Sequence, residues 1–305
     1  MAAYTPFKED GSLHLGVIKD YVNYLVDAKL AGLYVCGSTG EGVNMSVDER
    51  KQVAAAFVKS AEGRVPVIVQ VGANSLIDSK ELAAHAQQIG AVAMSANAPS
   101  YFKIGSTDIL TEFMAQISAA APNLPFYYYH IPSLTGVDID LLRFMELAET
   151  TIPRMAGVKY TDTKVFEFQS ALNFRNGKYQ LLWGCDEMLL SALAVGAVGG
   201  VGSTFGLIPN VYRAILSAWE DKRLDDARGE QLKSVEYVKI LYRYENPHSA
   251  QKAILRKMGF EMGSCRLPIP PLSSENIAKL YADLDTMGFT VYTGGGFDLK
   301  PSIKP

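Results

Sequence analysis

The hydrophobic pattern changes period back and forth along the first 210 residues, and this constrains the fold more than any single motif. Short apolar runs alternate with longer stretches of helical periodicity. An apolar run without polar alternation reads as a strand buried on both faces, as in parallel sheets covered by helices. Eight such strands are expected, at residues 2–5, 32–36, 66–71, 91–96, 125–130, 155–160, 179–183 and 197–202. Helices are expected between them at 14–29, 47–61, 75–89, 108–120, 140–149, 164–174 and 187–195, with an eighth starting near 209. Strict strand–helix alternation implies a parallel sheet with its helices outside. Eight units in about 220 residues fit an α/β fold of the closed (β/α)8 TIM-barrel kind better than an open doubly wound sheet. The open sheet also lacks its usual signatures. No GxGxxG follows the first strand, and no P-loop GK[ST] occurs.

The last third differs. Residues 224–244, 249–258 and 273–287 read as helices with no strands between them. The expected organisation is a barrel over 1–222, a C-terminal helical extension over 223–290 and a flexible tail over 291–305.

Composition excludes several function classes. Apolar residues make up 48% and the net charge is only −3, so the chain is not intrinsically disordered and is no basic nucleic-acid binder. Three cysteines with no CxxC do not make a disulfide scaffold. Two runs of 25 residues, 113–137 and 188–212, carry no Asp, Glu, Lys or Arg, which is long enough to span a bilayer. Prolines 122, 125 and 132 cut the first, and six glycines or prolines cut the second. Each reads instead as helix, turn and buried strand. With no signal peptide at the N-terminus, the expectation is a soluble, reduced, cytoplasmic protein without membrane partners.

Within the eight expected strands a single charged residue occurs, Lys159. A lysine inside an apolar strand is costly unless its charge is paired or lost. Alternation puts Met155, Gly157, Lys159 and Thr161 on one face, with Lys159 toward the C-terminal end, where barrel active sites lie. Two readings stand side by side. The side chain snorkels to solvent, or it is a desolvated amine able to attack a carbonyl. Tyr129 in the fifth strand could hold a phenol nearby and relay protons, although aromatic residues also serve strands by packing. After the second strand, Gly37-Ser38-Thr39-Gly40-Glu41-Gly42 sets two hydroxyls between glycines ahead of a helix. Such a loop offers donors to an anion, or simply caps the following helix. Without a lysine, a carboxylate suits it better than a triphosphate. The four histidines show no metal-ligand spacing. Cys36 and Cys185 read as small buried residues.

Three segments occur in order: Gly37–Glu41, Tyr129-His-Ile-Pro-Ser-Leu-Thr-Gly136 and Gly157-Val-Lys159-Tyr-Thr161. Together they resemble the pyruvate-dependent class I aldolases of the dihydrodipicolinate synthase and N-acetylneuraminate lyase superfamily. The run 125–132 is similar to the animal-type lyase branch. Leu134 stands where the synthases usually carry an arginine for a second carboxylate. Gly184-Cys-Asp186-Glu187 resembles the lyase segment that holds a polyhydroxy sugar, although an acidic helix N-terminus is the plain reading of the same residues.

The resemblance implies a Schiff base on Lys159, a covalent pyruvate imine formed with no metal and no organic cofactor. It implies Tyr129 as the proton-transfer residue and Ser38 and Thr39 as carboxylate binders. It further implies sugar contacts from Thr161, Gly184, Asp186, Glu187, Gly202 and Ser203, and Tyr101 reaching across a subunit interface of a homotetramer. The implied substrates are sialic acid and pyruvate. The runner-up is another pyruvate-dependent aldolase or synthase of the superfamily. Two departures stand out. The chain starts several residues short of its relatives, which predicts a clipped first strand, and His130 replaces the asparagine of many bacterial relatives.

Overall fold

The structure, a computed structural model, describes residues 1–244, 246–289 and 293. The expected tail over 291–305 lies outside the described residues except for Thr293. Six strands form one sheet in chain order: β1 (Leu33–Val35), β2 (Val67–Gln70), β3 (Ala93–Asn97), β4 (Phe126–His130), β5 (Met155–Tyr160) and β6 (Gln180–Trp183). Every pairing is parallel. The helices flanking them are α1 (Ile18–Asp27), α2 (Val47–Ala61), α3 (Leu76–Gln88), α4 (Thr107–Ala119), α5 (Pro132–Thr135), α6 (Leu141–Thr151), α7 (Val165–Asn173), α8 (Leu189–Ala194) and α9 (Pro209–Glu220). Then come α10 (Leu224–Tyr242), α11 (Pro247–Lys257) and α12 (Ser274–Thr286), with no strand between them.

The helix starts follow from local chemistry. Ser46 caps α2 in a capping box with Glu49, and Ser75, Asp140 and Ser273 cap α3, α6 and α12 through their side-chain oxygens. Pro209 and Pro247 occupy first-turn positions of α9 and α11, where no backbone N–H is needed.

Two of the eight expected strands are corrected. Residues 2–5 and 197–202 do not form ladders. Each makes one parallel bridge, Ala2 with Tyr34 and Gly200 with Trp183. Glycines 199, 200 and 202 give the second segment no side chains for cross-strand pairing. The first segment bonds to β1 only around Tyr34, Ala3 N–H donating to Tyr34 O and Tyr34 N–H to Met1 O, and past that point Thr5 Oγ1 donates to Gly40 O. The two segments also meet, Ala2 N–H donating to Gly202 O at 2.8 Å.

Period-two alternation divides the strand side chains between two cores. Leu33, Val35, Val67, Val69, Tyr128, Val158, Tyr160 and Leu181 join the large core under the helices. Tyr34, Tyr129, Ile68 and Leu182 join Ala2, Ile131 and Val201 in a smaller cluster on the other face. The second face is where Lys159 points, being out of phase with Val158 and Tyr160.

The first charge-free run resolves as expected, residues 113–137 crossing α4, β4 and α5, whereas 188–212 cross α8, a single bridge at Gly200 in place of the expected strand, and the start of α9. Among the described residues no helix is long and apolar enough to cross a membrane. α10 packs along α9 and against the turn Asp186–Met188, which brings α10 and α11 to the C-terminal ends of the strands, with α12 packed on both.

Candidate active site

β4 and β5 place Tyr129 directly opposite Lys159 in register. The Lys159 side chain is almost fully buried. Its Nζ lies 3.9 Å from the Tyr129 ring centroid and 4.1 Å from that of Tyr34. Among the described residues Nζ has no ion-pair or hydrogen-bond partner. The amine is therefore held by two aromatic faces rather than by a carboxylate. Tyr34 comes from β1, donates its hydroxyl to Ser95 Oγ at 3.1 Å, and meets Tyr129 edge-to-face. Gly37 makes room for it, since a Cβ there would meet the Tyr34 ring at 2.6 Å.

The β1–α2 loop brings up Ser38 and Thr39. Ser38 Oγ is 3.5 Å from Tyr129 OH. The loop is tight: Gly42 N–H donates to Gly37 O, and a Cβ at Gly42 would meet Cys36 O at 1.9 Å. Thr161, one residue past β5, has a buried hydroxyl without a hydrogen-bond partner among the described residues. A native protein seldom leaves such a group idle, and a bound ligand is one usual explanation.

Ser38, Thr39, Tyr129, Lys159, Thr161, Gly184, Asp186, Glu187 and Ser203 all line one cavity of about 880 Å³. Two expected site residues do not. Tyr101 is 77% exposed on the β3–α4 segment and lies outside this cavity. Gly202 sits behind it: a Cβ at Gly202 would strike the Asp186 carboxylate at 1.9 Å. Gly184 has a similar task, because a Cβ there would meet Thr161 Oγ1 at 2.0 Å. These glycines seat Thr161 and Asp186. Asp186 itself is buried, and its Oδ2 accepts from Thr204 N–H at 2.7 Å and Thr204 Oγ1 at 2.6 Å. Burial pushes its carboxyl up to about 6, with the Thr204 bonds opposing.

The Gly157 position, on the same face as Lys159, is tightly closed: a Cβ there would meet Gln180 O at 1.8 Å and the Tyr127 ring at 3.0 Å. The glycine lets β6 approach β5. Burial raises the Cys185 thiol to about 12 and that of Cys36 to about 11, which disfavours the thiolate at both.

One constellation could hold a metal ion among the described residues: His130, Asp162 and Glu167. His130 Nε2 lies 3.8 Å from Glu167 Oε2 and 4.0 Å from Asp162 Oδ2. These gaps exceed the roughly 3.3 Å ligand–ligand edge of a tetrahedral zinc site. The Lys164 ammonium already stands 3.5 Å from Asp162, and Tyr160 OH donates to Glu167. The group reads as a buried histidine stacked on Tyr160 beside a salt-bridged surface.

Sequence reasoning missed the parts played by five residues. Tyr34 looked like an ordinary strand aromatic. His248 and Gln251 of α11 form part of the cavity wall, with Gln251 Nε2 donating to Ser203 Oγ at 3.0 Å. Lys252 and Glu41 form a fully buried ion pair at 2.6 Å behind the Ser38–Thr39 loop. The signal for Lys252 was present: it is the one charged residue within 246–255.

The sequence model of the dihydrodipicolinate synthetase family matches residues 1–287. The N-acetylneuraminate lyase of Rattus norvegicus is 38% identical over 297 residues, covering 96% of this chain and 93% of its own. That of Homo sapiens is 38% identical over 303 residues, covering 98% and 93%. Among solved structures, Proteus mirabilis N-acetylneuraminate lyase superposes with a TM-score of 0.92 at 34% identity, over 94% of this chain and 97% of its own.

Proposed function

The chain belongs to the dihydrodipicolinate synthetase family, and from that premise we propose that it is a class I aldolase cleaving N-acetylneuraminate reversibly to pyruvate and N-acetylmannosamine. The observation that carries this reading is the Lys159 amine, buried between two tyrosine rings and facing a cavity with Tyr129, Ser38 and Thr161. The lyase relatives, similar across nearly the whole chain, support the same substrate.

The Lys159 amine adds to the C2 ketone of the open-chain sugar acid. The ketone oxygen leaves as water, and with one proton taken up a protonated imine remains. That proton comes from the Tyr129 phenol, and the phenolate oxygen left behind removes the proton from the C4 hydroxyl. The C3–C4 bond then breaks, its electron pair moves into the imine as an enamine, and the aldehyde departs. Protonation at C3 and hydrolysis release pyruvate and the free amine. Ser38 and Thr39 bind the substrate carboxylate with hydroxyl and backbone N–H donors. Thr161, Asp186, Glu187 and Ser203 face the hydroxylated chain, with Gly184 and Gly202 seating them. The covalent imine serves as the electron sink, so no metal or organic cofactor enters.

The fold we propose is the closed (β/α)8 barrel over 1–222 with the helical extension over 223–290. The Ala2–Tyr34 and Gly200–Trp183 bridges and the Ala2–Gly202 hydrogen bond support closure between the ends of the six-stranded sheet. A cytoplasmic homotetramer is proposed from the family, with the exposed Tyr101 and Phe102 supporting a subunit contact.

The second reading, a synthase-like enzyme, needs a group for a second carboxylate. Leu134 on the cavity wall does not supply one. Pyruvate offered with N-acetylmannosamine, and separately with aspartate semialdehyde, separates the two. Condensation with the sugar is expected; turnover of the semialdehyde alone would overturn the lyase assignment.

A further inference from the structure

The C-terminal helices contribute a charge to the interior behind the anion-binding loop. Lys252 of α11 and Glu41 of the β1–α2 loop are 1% and 0% exposed, with Nζ and Oε1 2.6 Å apart. Lys252 Nζ also donates to Ser264 O at 3.2 Å and lies over the Phe7 ring. The second Glu41 oxygen accepts the Arg266 backbone N–H at 2.8 Å. The Arg266 side chain in turn grips Glu49, Gly11 O and Asn44 O.

The same glutamate shapes the loop. Its backbone N–H donates to Ser38 O at 3.0 Å, which brackets Ser38 and Thr39. Its φ is 54°, in the left-handed region that disfavours side chains other than glycine. Two costs therefore fall on one residue. A strained backbone holds only where its surroundings over-determine it. A buried ion pair seldom stabilises more than a well-packed apolar pair of similar volume. Neither feature is explained by stability, and both act within three residues of the Ser38 and Thr39 hydroxyls.

We propose that Glu41 and Lys252 are positioning residues for the substrate carboxylate, their ion pair fixing the Ser38–Thr39 loop from α11. This rests on the reading that Ser38 and Thr39 receive that carboxylate. It makes the helical extension a working part of the site. Gln251 and His248 serve the cavity wall from the same helix.

The test compares the parent with Lys252→Met, Glu41→Gln and the double variant, measuring both KM values and kcat for condensation together with Tm. Lys252→Met leaves a buried carboxylate unpaired, so both Tm and pyruvate affinity fall. The double variant carries neither charge, so its Tm returns toward the parent while its loop stays untethered. Its KM for pyruvate is expected to remain raised about 10- to 100-fold, with KM for N-acetylmannosamine and kcat little changed. A double variant with parental pyruvate KM overturns the proposal, and so does a parallel rise in both KM values with loss of kcat. A parent that shows no saturable pyruvate-dependent condensation overturns the aldolase reading, and this inference with it.

Discussion

His130, next to Tyr129 on β4, is fully buried, and neither ring nitrogen is hydrogen-bonded among the described residues. Burial lowers its pKa to about 4, the Asp162 and Asp138 charges only partly opposing. In the unfolded chain it titrates near 6.5. Between pH 4 and 6.5 the unfolded state therefore binds more protons, so stability rises with pH across that window and is lost on acidification. The contribution is about 3 kcal/mol. A His130→Phe variant keeps the stacked ring without the titration. Its Tm should fall less than the parent's between pH 7 and pH 5. Parallel Tm curves would contradict this. Asp186, raised to about 6, acts in the opposite sense but is common to both proteins and cancels in the difference.

Residues of this kind were unevenly legible. Lys159 stood out because β1–β6 hold no other Lys, Arg, Asp or Glu. Lys252 obeys the same logic within α11, but helices carry surface lysines routinely, so its burial is visible only once α11 is packed. The role of Tyr34 needed the third dimension altogether, since nothing in a strand tyrosine announces that a lysine from four strands away lies on its face.

Among the elements, alternation located β1 to β6 and α1 to α12 closely, apart from α5, a single turn after Pro132. The segments at 2–5 and 197–202 were legible as apolar runs but not as single bridges, because ladder length depends on what each backbone group finds in space. Glycines are the other blind spot. At Gly157 the sequence shows a missing side chain but not the backbone of β6 that occupies the place. Gly157→Ala would push a methyl into Gln180 O at 1.8 Å and part β5 from β6. The expected loss is about 2–4 kcal/mol, read as a lower denaturant midpoint. An unchanged midpoint would show that β6 yields freely at this edge.

At the scale of the whole molecule, the parallel sheet gathers its chemistry at the C-terminal ends of the strands, and α10 and α11 roof that end. The cavity there takes Ser38 and Thr39 from one loop, Tyr129 and Lys159 from neighbouring strands, Asp186 from another turn and Gln251 from the extension. A composition with few charges made this possible, because nearly all strand surface could be buried while one amine was kept within it. The central claim is that this amine forms an imine with pyruvate. Incubation with pyruvate and borohydride, followed by peptide mass mapping, tests it directly. The account predicts a reduced pyruvyl adduct confined to the peptide containing Lys159 and absent from Lys159→Ala. An unmodified Lys159, or an adduct that persists in the Lys159→Ala protein, would contradict it.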